Sequence, residues 1–274
     1  MPELPEVETT LRGIQPFIEN QTIQQLTIRV LRLRWPVPKK DLQKLIGCMV
    51  NQVKRRGKYL LLFTDLGTII LHLGMSGRLR ILDSPVMASK HDHIDIAFNN
   101  QCILRFTDPR RFGALLWTNE PNPLSHPLLK DLGVEPLSRY FTPRFLQRRL
   151  HNKSLAIKSA IMDQHIVVGV GNIYITEALF AARIHPITSA KNLSLAQLTQ
   201  LVSAIKTILR QAIKKGGTTL KDFLNTQGKP GYFNQTLKVY GRAGLPCLNC
   251  QTTLQSIRIG QRGTVYCSYC QLIT

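Results

Sequence analysis

The sequence predicts an α+β protein that begins with a helix, continues as a β-sandwich or barrel, and ends with a helical region and a cysteine-bearing hairpin. Three observations carry this prediction. Apolar residues recur at helical spacing near the N-terminus. Short segments rich in β-branched and aliphatic residues, separated by turn residues, occupy much of residues 22–118, which is typical of an antiparallel sandwich or barrel. Two C-x2-C pairs enclose a hairpin-like segment near the C-terminal end.

The first element is an amphipathic helix from residue 3 to about residue 19. Its apolar face follows from Val7, Leu11, Ile14 and Ile18, which are spaced three or four residues apart. A face of this kind packs on a core. We therefore expect the helix to hold the N-terminal residues against the rest of the protein.

The N-terminal octet, MPELPEVE, has a chemistry of its own. If Met1 is removed, Pro2 provides a secondary α-amino group, and α-amino groups lose their proton near pH 7 far more readily than lysine does. Condensation of that nitrogen with an aldehyde gives an iminium, the electron sink of Schiff-base chemistry. Glu3 and Glu6 lie close enough in the chain to act as acid or base. The alternative is an ordinary first helical turn, where proline and carboxylates are both favourable.

After this helix, the spacing of apolar residues changes from a helical to an extended pattern in eight short segments. A brief helix near residues 40–46 interrupts them. The predicted strands are residues 22–30, 50–56, 59–64, 68–73, 78–82, 93–98, 102–106 and 112–118.

Three loops between these strands carry unusual residues. Lys58 follows a cationic turn directly before an apolar strand, Met75 lies between glycines in HLGMSG, and DPRRFG contains Arg110 and Phe112. Ordinary alternatives are a solvated turn lysine for the first loop and a plain hairpin for the second. Just upstream of the third loop, His91 shares a strand face with the second histidine of KHDH, but a metal site is not expected because a third ligand is missing nearby.

Beyond residue 118 the pattern changes to a linker and then to helices. Residues 119–140 carry four prolines and little periodicity, which indicates the linker. Helices are predicted at residues 143–150, 154–162, from the segment after residue 171 through 182, and 194–215. Ser194 starts the last helix in a capping-box pattern, and Gly216-Gly217 ends it. The glycine-rich segment 216–234 is either a functional loop or a simple connection to the tail.

A glycine turn, GVGN at residues 169–172, precedes one of these helices. It lacks the third glycine and the acidic residue of a dinucleotide fingerprint, so a nucleotide cofactor is not expected. A tight turn at a helix N-terminus still forms an anion site, and a DNA phosphate suits it.

Four cysteines near the C-terminal end predict a zinc site. Two C-x2-C pairs separated by sixteen residues match the spacing of a four-thiolate site. Because four protein ligands leave no open position, the single Zn²⁺ is expected to be structural. Residues 257–266 between the pairs predict a β-hairpin with Arg262 at its tip, where it can reach a phosphate. The predicted ligands are Cys247, Cys250, Cys267 and Cys270.

The charge balance indicates a polyanionic partner. Thirty-six Lys and Arg against sixteen Asp and Glu give a net charge of +20, spread along the chain rather than collected in a tail. No apolar run approaches the roughly 18 residues needed to span a bilayer, and the N-terminus lacks the pattern of a secretion signal. We therefore expect a cytoplasmic protein with no membrane partner. In that reducing compartment, Cys48 and Cys102 are predicted to be small core residues.

These motifs occur together in one family: the chain closely resembles the bacterial formamidopyrimidine-DNA glycosylases, bifunctional repair enzymes for oxidised purines. The resemblance runs from Pro2 to Cys270. It rests on PELPEVE, GKYL (57–60), HLGMSG (72–77), KHDH (90–93), TDPRRFG (107–113), VGVGNIY (168–174), GGTTLKDF (216–223), GKPGYF (228–233) and the two C-x2-C pairs.

The resemblance implies a fold and a partner. The fold is an N-terminal two-layer β-sandwich with an N-terminal helix, a C-terminal helix-two-turn-helix lobe and a zinc β-hairpin finger, with damaged double-stranded DNA bound between the lobes. The expected domains are residues 1–132, residues 133–236 with a lesion-recognition loop at 216–234, and residues 237–274. A monomer that associates with the nucleoid through DNA is also expected.

The resemblance also assigns catalytic roles by position. Pro2 resembles the Schiff-base nucleophile that attacks the anomeric carbon of the damaged nucleoside, and Glu3 the general acid acting on the sugar, with Glu6 as a support. Lys58 resembles the proton carrier and phosphate contact of β-elimination. Arg262 resembles the residue tied to δ-elimination and phosphate binding.

Other matched positions contact DNA. Because a base inside a duplex cannot be reached, the target must be extruded and the gap held open. Met75, Arg110 and Phe112 match the wedge that fills this gap and reads the opposite cytosine. The remaining matched DNA-contact positions are His91, Lys153, Lys158, Asn172 and Tyr240.

Two alternatives stay open. An endonuclease VIII-like glycosylase for oxidised pyrimidines belongs to the same superfamily, although Leu4, the wedge residues and the GGTTLKDF loop favour the purine enzyme. A non-catalytic zinc-finger DNA-binding protein would share the charge and the cysteines, and a chain that retains Met1 would behave as one.

Overall fold

The computed structural model describes residues 2–218 and 233–273 of the chain. Their contacts divide the described chain into two compact units. The first contains residues 2–130 and 215–218, and the second contains residues 131–214 and 233–273. Residues 219–232, which make up most of the predicted lesion-recognition loop, lie outside the described residues.

The first unit begins with α1 (Leu4–Ile18), and the helix buries the face that the sequence predicts. Leu4, Ile14 and Ile18 are fully buried. The remaining elements of this unit are β1 (Ile23–Ile28), α2 (Lys39–Gln43), β2 (Val50–Arg56), β3 (Tyr59–Thr64), β4 (Gly67–His72), β5 (Arg78–Leu82), β6 (Asp92–Phe98), β7 (Ile103–Thr107), β8 (Ala114–Thr118) and a short 3-10 turn, Pro123–Ser125.

The eight strands form two antiparallel sheets of four strands each. Their orders are β1-β6-β7-β5 and β2-β3-β4-β8. One hydrophobic core contains residues of both sheets and of α1, including Ile14, Leu62 and Ile96. Two separate sheets that share one core make a sandwich, so the structure decides between the sandwich and the barrel that the sequence pattern leaves open.

The second unit contains four helices and a hairpin. Its elements are α3 (Pro143–Leu150), α4 (Ile157–Met162), α5 (Asn172–Ala181), α6 (Leu195–Lys214), β9 (Gln255–Ile259), β10 (Arg262–Tyr266) and the 3-10 turns Ala190–Asn192 and Phe233–Thr236. The predicted capping box of α6 is confirmed, because Ser194 N–H donates to Gln197 Oε1 at 2.9 Å and Gln197 N–H donates to Ser194 Oγ at 3.2 Å. No helix within the described ranges has the length and apolar character needed to cross a membrane.

Most element bounds shift by a few residues from the sequence prediction, as in β1, which ends at Ile28 rather than at residue 30. Strand β8 begins at Ala114 rather than at residue 112, because the N–H of Gly113 donates to the side chain of Asp108 at 2.7 Å. Helix α4 begins at Ile157 rather than at residue 154. The prediction that Cys48 and Cys102 are core residues is wrong: both are only half-buried, because they lie just before β2 and β7 rather than inside strands.

A buried ionic network ties the segment before β6 to the sheet that contains β6 and β7. The guanidinium of Arg105, which is 3% exposed, donates twice to Asp95 at 2.8 Å and once to Asp92 at 3.5 Å. It also donates to the carbonyl oxygens of Val86 at 2.7 Å and Met87 at 3.4 Å. The sequence between β5 and β6 is thus held by side chains of β6 and β7.

Candidate functional site

The N-terminal residues lie at the start of α1 and are buried. Pro2 is buried, and Glu3 is 3% exposed. The N–H of Glu3 donates to Glu6 Oε2 at 2.8 Å, so the Glu6 side chain folds back over the first turn as in a capping box. Helix formation therefore fixes Pro2 and Glu3 together at one end of a core helix.

The carboxylate of Glu6 has a second set of contacts. Glu6 is fully buried, and its Oε1 accepts both the N–H and the hydroxyl of Thr218 at 2.9 Å. Gly217 has a φ of 83°, and a Cβ there would lie 2.9 Å from Glu6 Oε1. One carboxylate thus joins the start of α1 to the first residues of the glycine-rich segment that follows α6.

Lys58 lies in the turn between β2 and β3 and is half-buried. Its charge acts on His72 at the end of β4: burial, together with the charges of Lys58 and Arg34, lowers the pKa of His72 to about 4. His72 Nδ1 accepts the N–H of Gly74 at 3.0 Å, which also requires an unprotonated Nδ1. The ring is therefore neutral at pH 7 and carries its proton on Nε2, beside the cationic turn.

The loops that carry Met75, Arg110 and Phe112 pack against each other. Gly74 has a φ of 65°, and a Cβ there would lie 2.3 Å from the carbonyl carbon of Phe112, so the loops meet backbone to backbone. Met75 is half-buried, Arg110 is exposed, and Phe112 is 45% exposed. The guanidinium carbon of Arg110 lies 4.8 Å from the centroid of the Phe112 ring, a cation–π pair. The structure thus brings the three predicted wedge residues onto two adjoining loops.

Asp108 connects these two loops and is fully buried. Its Oδ1 accepts the hydroxyl of Ser76 at 2.6 Å, and its Oδ2 accepts the N–H of Gly113 at 2.7 Å. Ser76 Oγ in turn accepts the N–H of Arg110 at 3.2 Å. The KHDH segment joins the same network, because Asp108 N–H donates to the carbonyl of His91 at 3.0 Å. His91 itself is half-buried.

His93, in strand β6, bonds the backbone of Asp108 and so belongs to the same network. Its Nε2 lies 2.8 Å from the carbonyl oxygen of Asp108, and since a carbonyl only accepts, the proton is on Nε2. His93 is 2% exposed, so it is a satisfied core histidine. In the part of the chain that the structure describes, the side chains grouped closely enough to hold a metal are the four tail cysteines.

In the second unit, Lys158 and Asn172 hold the tip of the hairpin. Lys158 is 1% exposed, and its ammonium donates to Thr264 Oγ1 at 2.5 Å and to the carbonyl of Gly263 at 3.4 Å. Asn172 Nδ2 donates to the same carbonyl at 3.2 Å. Arg262, next to this anchored residue, is exposed. These bonds hold the hairpin tip to α4 and α5, and the DNA contact expected for Lys158 stays a prediction.

The two remaining predicted DNA contacts lie elsewhere in this unit. Lys153 is half-buried in the segment after α3. The backbone N–H of Tyr240 donates to Glu177 Oε1 at 2.8 Å, and the same carboxylate accepts the N–H groups of Lys238 and Val239. Glu177 therefore fixes the chain segment that presents Tyr240.

The four tail cysteines fit a zinc ion. Their sulfur atoms all lie within 4.8 Å of one another, with 4.0 Å between Cys247 and Cys270 and 3.4 Å between Cys250 and Cys267. A tetrahedral site with Zn–S bonds of about 2.3 Å has S–S edges of roughly 3.8 Å. The donor set and its spacing are thus those of a structural tetrathiolate site.

Sequence reasoning does not assign a role to Ser76, Asp108 or Thr218. Ser76 and Asp108 lie inside the HLGMSG and DPRRFG motifs, where a small hydroxyl and a carboxylate beside glycines signal loop hydrogen bonding. Thr218 has no local signal, because its partner Glu6 is 212 residues away.

Comparisons with known families cover both units. Residues 1–115 match the Formamidopyrimidine-DNA glycosylase N-terminal domain, and residues 132–224 match the Formamidopyrimidine-DNA glycosylase H2TH domain. Residues 244–273 match a zinc finger found in FPG and IleRS. The chain is 57% identical over 272 residues to the formamidopyrimidine-DNA glycosylase of Shewanella baltica and 56% identical over 271 residues to that of Shewanella oneidensis, in each case over 99% of both chains.

Solved structures show the same relationship. The Fpg (MutM) protein of Thermus thermophilus superimposes with a TM-score of 0.88 at 35% identity, over 100% of both chains. A complex of Lactococcus lactis Fpg with DNA containing an abasic site gives a TM-score of 0.90 at 33% identity, over 98% of this chain and 99% of that one. A complex of the same Lactococcus protein with DNA containing N7-benzyl-Fapy-dG gives 0.89 at 32% identity, over 99% and 100%.

Proposed function

The chain belongs to the formamidopyrimidine-DNA glycosylase family of base excision repair, and from this premise we propose that it excises oxidised purines from duplex DNA and then cuts the strand. The substrates are 8-oxoguanine and ring-opened formamidopyrimidines. The Lactococcus relative, solved with DNA carrying an abasic site and with DNA carrying a formamidopyrimidine lesion, supports this substrate class.

One observation carries the catalytic proposal: Pro2 and Glu3 lie buried together at the start of α1, with Glu3 N–H bonded to Glu6. A nucleophile must be held in a fixed geometry to attack a single sugar carbon efficiently. The capping contact of Glu6 provides this, since it ties the first turn to the core helix. The nucleophile requires the removal of Met1, which would otherwise convert the proline nitrogen into an amide.

In the first step, the Pro2 nitrogen attacks C1′ of the damaged nucleoside. A nitrogen–carbon bond forms while the glycosidic bond breaks, and the base leaves with a proton. Glu3 protonates the ring oxygen O4′, the sugar ring opens, and an iminium joins Pro2 to C1′.

The iminium then drives strand cleavage. It acidifies the protons on C2′, so removal of one of them expels the 3′ phosphate, and a second elimination expels the 5′ phosphate. Lys58, half-buried in the turn between β2 and β3, carries the proton and contacts phosphate during β-elimination. Arg262, exposed at the hairpin tip, binds phosphate during δ-elimination. Water finally hydrolyses the conjugated product from Pro2.

Substrate recognition depends on base extrusion. Met75, Arg110 and Phe112 fill the space left by the extruded nucleotide, and Arg110 reads the opposite cytosine, since a guanidinium can make paired hydrogen bonds to a base edge. Lys153, Asn172 and His91 bind the backbone. One zinc ion, bound by the four cysteines, supplies structural stability to the hairpin that carries Arg262. The protein acts as a monomer without a nucleotide cofactor.

Borohydride trapping tests this proposal. Protein whose intact mass shows the loss of Met1 is incubated with a duplex that carries 8-oxoguanine opposite cytosine, and borohydride is added. We expect a covalent adduct that peptide mass mapping places on Pro2. Glu3→Gln should lower the excision rate by about 10²- to 10⁴-fold, the contribution typical of a general acid, whereas the matched variant Glu120→Gln, at an exposed site, should not change it.

Other results would favour the alternatives. Adducts that form with oxidised pyrimidines and not with 8-oxoguanine would identify an endonuclease VIII-like enzyme. Tight binding with intact strands and no adduct on any lesion, in protein lacking Met1, would identify a non-catalytic DNA-binding protein.

A further inference from the structure

Asp108 accepts hydrogen bonds from both loops that carry the predicted wedge. Its Oδ1 accepts the Ser76 hydroxyl at 2.6 Å, from the loop of Met75. Its Oδ2 accepts the Gly113 N–H at 2.7 Å, directly after Phe112. Because the carboxylate is fully buried, its bonds to these two loops are shielded from competing water.

Ser76 extends the connection to the arginine. Its side-chain oxygen accepts the N–H of Arg110 at 3.2 Å while its hydroxyl donates to Asp108. Ser76 is itself 5% exposed. The Asp108–Ser76 pair therefore fixes the backbone on both sides of the DPRRFG turn and the backbone next to Met75.

The peptide backbone of Asp108 is held as firmly as its side chain. Its N–H donates to the carbonyl of His91 at 3.0 Å, and its carbonyl accepts from His93 Nε2 at 2.8 Å and from the N–H of Arg111 at 3.2 Å. His93 lies in β6, inside the core. The network thus connects exposed loop tips to the rigid sandwich.

Tight packing leaves these loops little freedom to compensate for a lost bond. A Cβ at Gly113 would lie 2.6 Å from the Phe106 ring and 3.0 Å from Asp108 Oδ2, and a Cβ at Gly74 would lie 2.3 Å from the carbonyl carbon of Phe112. Arg111 has a φ of 54°, a conformation that a non-glycine residue adopts only when its surroundings hold it there.

We propose that Asp108 and Ser76 are positioning residues that hold the Met75 and Arg110–Phe112 loops in register for insertion into duplex DNA. This inference rests on the proposed function of the wedge. The proposal predicts that the hydrogen bonds of Asp108 and Ser76 serve base extrusion rather than the chemistry at Pro2. Loss of the network should therefore impair reactions that require extrusion and leave unaffected those that do not.

The test compares two substrates under single-turnover conditions. Excision of 8-oxoguanine opposite cytosine in a duplex requires extrusion, whereas strand cleavage at an abasic site in a single-stranded oligonucleotide does not. Asp108→Ala and Ser76→Ala should lower the ratio of the duplex rate to the single-strand rate by about 10- to 100-fold, as expected for a small misplacement of a positioning group. Asp108→Asn should stay within about threefold of wild type, because its amide can accept from Gly113 and donate to Ser76 Oγ.

Asp95→Asn serves as the matched control. Asp95 is also a buried aspartate of the sandwich, but it bonds Arg105 and Arg29 rather than the wedge loops. It should lower the melting temperature and leave the ratio unchanged. If both rates of Asp108→Ala fall in parallel, or if its ratio equals that of wild type, the positioning role is wrong.

Hydrogen–deuterium exchange of the free protein separates this inference from the proposed function. Amides 74–77 and 110–113 should exchange faster in Asp108→Ala and Ser76→Ala than in wild type and Asp95→Asn. If wild type excises no lesion, the proposed function fails, and exchange alone then decides whether the pair holds the loops. Unchanged exchange in these segments would overturn the inference.

Discussion

Glu6 Oε1 accepts both the backbone N–H and the hydroxyl of Thr218, each at 2.9 Å, although the two residues are 212 positions apart. Oε2 of the same carboxylate accepts the N–H of Glu3 at 2.8 Å. The residue that orders the first turn of α1 therefore also anchors the segment that begins the GGTTLKDF motif. The proposed general acid and the start of that segment share one buried carboxylate.

Glu6→Gln should destabilise the fold. From the described residues the carboxylate accepts three hydrogen bonds, and an amide presents one oxygen and an NH2 group, so at least one buried donor is left facing another donor. The expected cost is about 1–3 kcal/mol in the free energy of unfolding, measured by urea unfolding. Glu120→Gln, on the exposed surface, is the control and should change it by less than about 0.5 kcal/mol. Equal stability of both variants would contradict the network.

His72 should make stability fall with acidification. Burial and the nearby charges of Lys58 and Arg34 lower its pKa from 6.5 to about 4 in the folded protein. Between these pH values the unfolded chain binds a proton that the folded protein does not bind, so the free energy of unfolding decreases as the pH falls from 6.5 to 4. One unit of pKa difference corresponds to about 1.4 kcal/mol, which gives a loss on the order of 3 kcal/mol.

Urea unfolding across this pH range, together with an NMR titration of the ring, measures the effect of His72. The variant His72→Gln keeps an acceptor for Gly74 N–H but does not titrate, so it should lose this part of the pH dependence. His151→Gln, at an exposed site, should keep it. A His72 ring that titrates near 6.5 would contradict the predicted cause.

The four-cysteine site should bind about one zinc ion per chain. Cys267→Ser removes a buried ligand and should lose the metal, because three thiolates and a hydroxyl bind zinc far more weakly. Metal analysis of the purified protein measures the ratio, and Cys48→Ser, which alters a half-buried cysteine outside the cluster, is the control. Zinc retained at the wild-type ratio in Cys267→Ser would show that the cluster is not the site.

Lys153 and Lys158 should differ in their effect on DNA binding. Affinity that depends on six to ten phosphate contacts falls by about 10³- to 10⁵-fold between 50 and 200 mM salt. In a plot of log affinity against log salt concentration, each lost phosphate contact reduces the steepness of the slope by about one. Lys153→Ala should reduce the slope. Lys158→Ala should keep the slope but lower the melting temperature, because its buried ammonium bonds Gly263 and Thr264. Fluorescence anisotropy against salt checks both, and a reduced slope for Lys158→Ala would reassign it to direct phosphate contact.

Much of the architecture follows from local sequence patterns. The helical spacing of Val7, Leu11 and Ile14 predicts α1, and the Ser194–Gln197 pattern predicts the start of α6 and its capping hydrogen bonds. The C-x2-C spacing predicts the four-cysteine cluster. These features depend on residues that are near one another in the chain, so their chemistry can be read without knowing the fold.

The sequence by itself determined the element order, the basic character and the residues that resemble a known family's site. Tertiary structure alone decided that Lys158 is buried against the hairpin and that Asp108 and Thr218 bond residues of the site. Each of these depends on contacts between segments far apart in the chain. A periodic pattern shows which face of an element is buried, but the particular donor that meets a buried carboxylate depends on how distant elements pack, and that is set only when the whole core forms.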